Sequence, residues 1–124
     1  MTTKYDYEAA FKLFDHKDFE AVMRLALPHA TAGDSDAQCM LSLLYQLGLG
    51  VEQDFHKAEE WLIRASKQNS PVAWNNLASL YAGRFPGLSR GPEAASECYK
   101  RAKELGFDCA TPYPPTSSLS SKLT

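Results

Sequence analysis

The sequence lacks three features that would indicate a function class at once: a strong charge imbalance, a metal-binding cysteine pattern and a long apolar run. Its 124 residues carry a formal net charge of −2, whereas a nucleic-acid-binding domain is expected to be clearly basic. The three cysteines are odd in number and show no C-x-x-C spacing, so neither a zinc site nor a disulfide framework is expected. No stretch approaches the roughly 20 apolar residues of a membrane span.

Signals for export and for cofactor binding are also missing. The N-terminal stretch "MTTKYDYEAAFKLF" contains no uninterrupted apolar segment and no small-residue cleavage site. We therefore expect no secretory signal and a cytoplasmic location, which reduced cysteines would also suit. No convincing strand pattern exists, and no glycine-rich phosphate loop follows one. We expect no cofactor and no metal.

An internal repeat is the first positive feature. At an offset of 36, segment 36–48 aligns with segment 72–84. Segment 58–66 aligns with 95–103 at an offset of 37, and a weaker copy lies upstream. Each copy is expected to be one helix pair, because such pairs bury their apolar faces only by stacking on neighbours. The identical residues in the first alignment are Ala37 and Ala73, Leu41 and Leu77, Leu44 and Leu80, and Tyr45 and Tyr81.

Helix-start signals agree with this repeat. Ser35 is expected to be an N-cap, with Gln38 reaching back to its backbone as in a capping box. Asp54 can cap a later helix, and Ser70 followed by Pro71 is typical of an N-cap with proline at the first helical position. The expected helices cover approximately 4–15, 18–32, 35–47, 55–68, 71–82 and 92–105.

The stretch "GLGVEQD" is expected to reverse the chain between two helices. Gly48 can end the first helix in a positive-φ conformation, and Gly50 can let backbone pass close to backbone. Val51 then supplies an apolar side chain beneath the turn. Trp61 is expected to fill the groove between the paired helices, so that its truncation would cost about 3–5 kcal/mol.

The spacing of these residues is specific. From Ala37 to Ala65 the chain reads A-x-x-x-L-x-x-x-Y-x-x-G-x-G-V-x-x-D-x-x-K-A-x-x-W-x-x-x-A, which resembles the Sel1-like repeat, a relative of the tetratricopeptide repeat. The second copy keeps the alanines and tyrosine, but it replaces G-x-G-V with "GRFPGLSRG" and has Cys98 in place of the tryptophan. The resemblance implies an all-α fold, a right-handed α-α superhelix of about two Sel1-like repeats with an N-terminal capping helix pair.

The domain organisation follows from these alignments. We expect one Sel1-like repeat domain over 1–107, with a degenerate helix pair at 4–32 and repeats at 35–69 and 70–107. Residues 108–124 form a Pro/Ser/Thr-rich tail, expected to be extended unless its tyrosine and prolines pack on the last helix.

The third expected helix is apolar around most of its circumference. Met40, Leu43 and Leu47 lie outside the positions that the repeat motif needs for packing. Two interpretations stay open: these side chains pack on the N-terminal helices, or they form a groove that awaits a partner.

Further candidate contacts lie in the second repeat. Trp74 is the strongest of them, since tryptophan anchors recur in interface hot spots. The loop "GRFPGLSRG" is the other, because it presents two cations and an aromatic ring at a turn. The candidate residues of this repeat are Trp74, Asn75, Ser79, Arg84, Phe85 and Arg90.

The resemblance implies a protein that binds another protein and brings no catalytic residues with it. Small bacterial members resemble adaptors, regulators or immunity proteins that neutralise a secreted toxin. The alternatives are a self-associating repeat protein, which would form a homo-oligomer, and a small hydrolase using His56 and Cys39. Against the hydrolase, His56 and Glu60 have the spacing of a routine surface pair on a helix.

Overall fold

Residues 4–107, the part of the chain that the computed structural model describes, fold into consecutive helix pairs without a strand. Each helix contacts the next along the chain, and α3 also contacts α5. The described helices are α1 Tyr7–Asp15, α2 Phe19–Thr31, α3 Ser35–Leu47, α4 Phe55–Ser66, α5 Pro71–Ala82, a 3-10 turn Pro92–Ala94 and α6 Ala95–Glu104. This arrangement is a short α-solenoid, as predicted. The tail prediction falls on 108–124, outside the described residues.

Local capping explains where most of these helices begin. The Asp54 side chain accepts a hydrogen bond from Lys57 N at 3.0 Å, and Ser70 Oγ accepts one from Ala73 N at 3.1 Å. Both predicted N-caps are thus confirmed. The predicted last helix differs, because a 3-10 turn precedes α6. Gly91 has no side chain that could cap this segment.

The predicted Ser35 capping box is wrong. Asp34 is the N-cap of α3, and its Oδ1 accepts from Ala37 N at 2.9 Å. The Gln38 side chain is buried instead of reaching back to the helix start. Its Nε2 donates to Ala30 O at 3.0 Å, and its Oε1 accepts from Gln68 Nε2 at 3.1 Å. Gln38 therefore joins α2, α3 and the end of α4.

Two buried clusters form the core, and α3 belongs to both. One joins α1, α2 and α3, while the other joins α3 and α4 to α5 and α6. Met40 is fully buried in the first cluster, against side chains of the N-terminal helices such as Phe14 and Val22. Leu43 is half-buried against the same cluster. The first of the two interpretations of this helix therefore applies to Met40 and, in part, to Leu43.

The turn at 48–54 depends on glycine conformation. Gly48 ends α3 with a φ of 65°, and Gly50 has a φ of 73°. A Cβ at Gly50 would lie 3.0 Å from the backbone carbonyl carbon of Phe19, where α2 begins. Gly48 therefore meets the expectation of a positive φ, and Gly50 meets that of a close backbone approach.

Trp61 is less buried than expected for a side chain that fills the groove between two paired helices. Its ring is half-buried, and the Arg64 guanidinium lies over it at 4.7 Å from the ring centroid. Truncating Trp61 should consequently cost less than the full burial of an indole would imply.

Gly50→Ala tests the close approach of this turn to α2. We expect it to lower the free energy of unfolding by more than about 2 kcal/mol, because positive φ and the Phe19 contact both penalise a Cβ. Gly87→Ala is the matched control: its φ is 84°, yet nothing lies within 4 Å of the added Cβ. The control should lose only about 1–2 kcal/mol from its φ. Equal losses in urea unfolding would contradict the proposed contact.

Candidate protein-interaction surface

The loop of residues 83–91, between α5 and the 3-10 turn, has exposed side chains, and several contacts fix its backbone. The Phe85 ring stacks on Phe55 of α4, with centroids 4.3 Å apart and an interplanar angle of 9°. Leu88 packs against the second core cluster. Arg84 has a φ of 57°, which turns the chain at the loop's start. The loop is therefore anchored at several points along its length.

A buried carboxylate provides a further anchor. Glu59 of α4 is 1% exposed, and its Oε2 accepts a hydrogen bond from Tyr81 OH at 2.7 Å. The backbone N–H of Ser89 donates to Glu59 Oε1 at 2.9 Å, and the Ser89 hydroxyl donates to Oε2. We call Glu59, Tyr81 and Ser89 the Glu59 cluster. It ties loop 83–91 to both α4 and α5.

The hydrogen bonds of the Glu59 cluster favour its ionised form. Burial alone would raise the pKa of Glu59, but the bonds from Ser89 and Tyr81 outweigh that effect and hold the pKa below its ordinary value. Burial and the neighbouring carboxylate raise the pKa of the Tyr81 phenol. At neutral pH the cluster therefore holds a carboxylate that accepts and a phenol that donates.

Loop 83–91 also borders an open hollow that combines charge with apolar surface. Phe85, Arg84 and Arg90 line it together with Glu93 from the 3-10 turn. Arg90 Nη2 lies 3.7 Å from Glu97 Oε2, in an exposed ion pair. The three predicted contact residues of this loop thus share one surface feature.

A second surface lies on the last helix pair. Its walls are Asn75 of α5 with Tyr99, Lys103 and Phe107 of α6 and its C-terminal end, and we call it the terminal groove. Ser79 Oγ lies 3.3 Å from Tyr99 OH, within hydrogen-bonding distance. The predicted residues Asn75 and Ser79 therefore lie on the same surface, since both are next to Tyr99. This surface shares no lining residue with the hollow beside Phe85.

The other predicted contact residues do not join either surface. Met40 has no exposed area, so it is not available to a partner in this structure. Trp74 is half-buried against the second core cluster, and its indole N–H is buried without an acceptor among residues 4–107. Leu47, at the end of α3, is 38% exposed but lines neither the hollow nor the terminal groove.

The residues of the hydrolase alternative lie in different environments, with Cys39 buried and His56 exposed. Burial raises the pKa of the Cys39 thiol to about 12, so it is protonated at neutral pH. His56 Nε2 lies 3.0 Å from Glu60 Oε1 in an exposed pair on one helix face. Within residues 4–107, no group of His, Cys, Asp and Glu could hold a metal ion. In the same range, every helix is too short or too polar to cross a membrane.

Sequence reasoning did not predict that Glu59 is buried, and it missed the α6 side of the terminal groove. Glu59 lies on the same helical stripe as Leu62 and Ser66, both buried, and this spacing could have indicated that it faces inward. Tyr99 occupies the repeat position of Leu62, which could have marked it as part of a stacking face. In each case the signal was positional, because neither residue type by itself indicates burial or contact.

The fold places the chain among short α-solenoids built from helix pairs. The Sel1 repeat model matches residues 1–15, 35–70 and 71–107, well over half of the chain. The chain therefore belongs to the Sel1 repeat family, as the sequence motif predicted. Proteins of this family are generally protein-interaction modules. Residues 16–34 lie outside the match.

Solved structures agree with this assignment. A Sel1 repeat protein from Oxalobacter formigenes is 26% identical, with a TM-score of 0.71 over 85% of this chain and 41% of that one. The protective antigen c5321, present in uropathogenic Escherichia coli strains and displaying an SLR fold, is 25% identical with a TM-score of 0.63. That match covers 71% of this chain and 19% of the antigen. The chain thus spans less than half the length of these two relatives. No curated protein matches it significantly.

Glu59→Ala tests whether the buried carboxylate stabilises the fold. We expect the free energy of unfolding to fall by about 1–3 kcal/mol, because the Tyr81 hydroxyl and the Ser89 N–H lose their acceptor. Glu60→Ala, one residue along the same helix, removes an exposed carboxylate and should change it by less than about 0.5 kcal/mol. Chemical unfolding measures both, and equal losses would argue against a role for the cluster.

Acid sensitivity should also depend on Glu59. Its pKa is lower in the folded protein than in the unfolded chain, so its contribution is present above the unfolded pKa of about 4.3. That contribution is lost as the pH falls through the folded pKa. Glu59→Gln should therefore show a smaller loss of stability than the wild type between about pH 5 and pH 3. Parallel pH profiles of the urea midpoint would refute this expectation.

Proposed function

We propose that this chain binds another protein through loop 83–91, as a non-enzymatic module of the Sel1 repeat family. The observation that carries the proposal is Phe85, a ring that is 39% exposed although Phe55, Leu88 and the Glu59 cluster hold the surrounding backbone. An exposed aromatic side chain on an anchored loop is a suitable interface anchor, since little conformational entropy remains to be lost on binding.

The charges around Phe85 indicate the chemistry of the partner. Arg84 and Arg90 are both exposed and line the same hollow as the ring. Guanidinium groups form paired hydrogen bonds with carboxylates, so they favour acidic residues around an apolar patch. The proposed partner surface therefore has an apolar pocket for the Phe85 ring and carboxylates at its rim.

A cytoplasmic adaptor or inhibitor is the finer form of this proposal. Cys39 and Cys98 are buried and unpaired, which suits a reducing compartment. In its sharpest form the partner is a toxin whose active site the bound chain covers, as an immunity protein would. Co-expression with that partner should then restore growth. Continued toxicity despite a stable complex would contradict the immunity role but would still be consistent with the adaptor role.

Phe85→Ala tests the proposed contact. We expect its affinity for the partner to fall at least tenfold, or about 1.4 kcal/mol, because the anchor ring is lost. The partner would be recovered by pull-down with the wild-type chain and titrated calorimetrically. Leu47→Ala is the control, since Leu47 has nearly the same exposed fraction, 38%, outside the hollow.

Two results would decide against loop 83–91 as the contact. One is unchanged affinity of the Phe85→Ala variant, and the other is equal weakening by Leu47→Ala. A mass that rises with concentration in the absence of any partner would instead favour the self-associating alternative.

A further inference from the structure

The internal repeat gives the terminal groove a counterpart inside the molecule. At the offsets of 36 and 37 found in the sequence, Asn75 corresponds to Cys39, and Tyr99 corresponds to Leu62. Cys39 and Leu62 both lie in the core cluster that joins α3 and α4 to α5 and α6. The terminal groove is thus the second repeat's version of the face on which the first repeat receives its neighbour.

The two faces differ in what covers them. Helix α4 contacts α5 as well as α3, and its Leu62 is 0% exposed. Within residues 4–107, α6 makes its main contacts with α5 and the 3-10 turn, and its Tyr99 is 44% exposed. A face of the kind that receives a helix is therefore open at the end of the described solenoid.

The polar groups of the terminal groove favour an acidic ligand. Among the described residues that line it, Lys103 is the only charged one, and no carboxylate within residues 4–107 forms an ion pair with it. The Tyr99 hydroxyl lies within hydrogen-bonding distance of Ser79, whereas the Asn75 amide has no such partner in the same part of the chain. The groove therefore combines available hydrogen-bond donors with apolar surface.

We propose that the terminal groove binds an amphipathic helix of a partner protein, oriented as α5 lies on the first repeat, with an acidic residue in its first turn opposite Lys103. The orientation follows from the repeat, in which Lys103 corresponds to Ser66. Ser66 ends α4 shortly before Ser70, the N-cap of α5. Lys103 is then next to the start of a helix bound in the same way. A carboxylate at this position pairs with the ammonium group and interacts favourably with the helix dipole.

Helix α5 shows which apolar pattern fits such a face. Its Ala73, Leu77 and Leu80 are buried in the cluster that also contains Cys39 and Leu62. These three residues occupy positions i, i+4 and i+7 of one helical stripe, the spacing with which amphipathic helices fill apolar grooves. The proposed partner helix therefore carries a small residue and two larger aliphatic residues at this spacing.

A second copy of this chain does not supply such a helix. The first helix of each described pair already buries its apolar stripe in the chain's own core clusters. Even α1, at the end of the solenoid, buries Ala10 and Phe14 in the cluster that it shares with α2 and α3. The occupant is therefore a different protein.

A peptide copied from α5 tests the proposal. It carries residues 70–83 with Val72→Glu in the first turn. A hydrocarbon staple holds it helical through positions 75 and 79, which face the terminal groove in the intact chain instead of the first repeat. One control peptide has Val72→Gln, and another has the same residues in scrambled order. The glutamate peptide should bind about threefold more tightly than the glutamine peptide, the size of a typical exposed ion pair, and the scrambled peptide should not bind.

Three variants of the chain locate the bound peptide. Lys103→Gln should abolish the preference for glutamate, whereas Lys100→Gln, at an exposed lysine of α6 outside the groove, should retain it. Tyr99→Ala should weaken both helical peptides about tenfold, because its ring forms a wall of the groove. Fluorescence anisotropy of labelled peptides measures these affinities. The nuclear magnetic resonance signal of the Asn75 side-chain amide should shift on binding and so report the site.

Each other outcome overturns the assignment. If neither helical peptide binds, or if the scrambled peptide binds equally well, the groove does not receive a helix. A glutamate preference that is absent, or that persists in Lys103→Gln, would contradict the pairing with Lys103. Groove signals that shift on dilution, together with a mass that rises with concentration, would assign the groove to a second copy. Phe85→Ala should leave the peptide affinity unchanged, so this test can fail without affecting the contact proposed for loop 83–91.

Discussion

Close approach of neighbouring helices through alanine is the constraint on which the rest of this structure depends. Ala37 of α3, Ala58 and Ala65 of α4, and Ala73 of α5 are all completely buried. With only a methyl group at these positions, backbones can approach closely, and the larger side chains pack between the alanine rows. The repeat motif therefore encodes a spacing between helices, and the loops are left to vary around it.

That spacing accounts for what the sequence could predict. Alanines and leucines at helical intervals indicated six helices, and Asp54 and Ser70 indicated where two of them begin, because capping depends on residues within one turn. The start of α3 was less certain from sequence, since Asp34 and Ser35 are adjacent and both residue types cap helices well. Deciding between them required the position of Gln38, which tertiary contacts with α2 and the end of α4 determine.

The candidate site was harder to predict because its residues depend on distant parts of the chain. The burial of Glu59 depends on Tyr81 and on Ser89, 30 residues later, which supply donors for its carboxylate. Met40 is covered only because the N-terminal helices pack on α3, which the motif does not specify. Loop residues Arg84 and Phe85 were predicted successfully as exposed, since turn residues beside a long helix seldom have core positions available.

The Glu59 cluster also joins two units that the repeat pattern treats as separate. Its carboxylate belongs to the first repeat, whereas both donor residues, Tyr81 and Ser89, belong to the second. In solenoids whose units interact only with their neighbours, hydrogen bonds between two units stabilise the interface between them. The terminal unit therefore unfolds less readily on its own. The exposed side chain of Arg90, next to Ser89, is then free to diversify, because the path of the backbone does not depend on it.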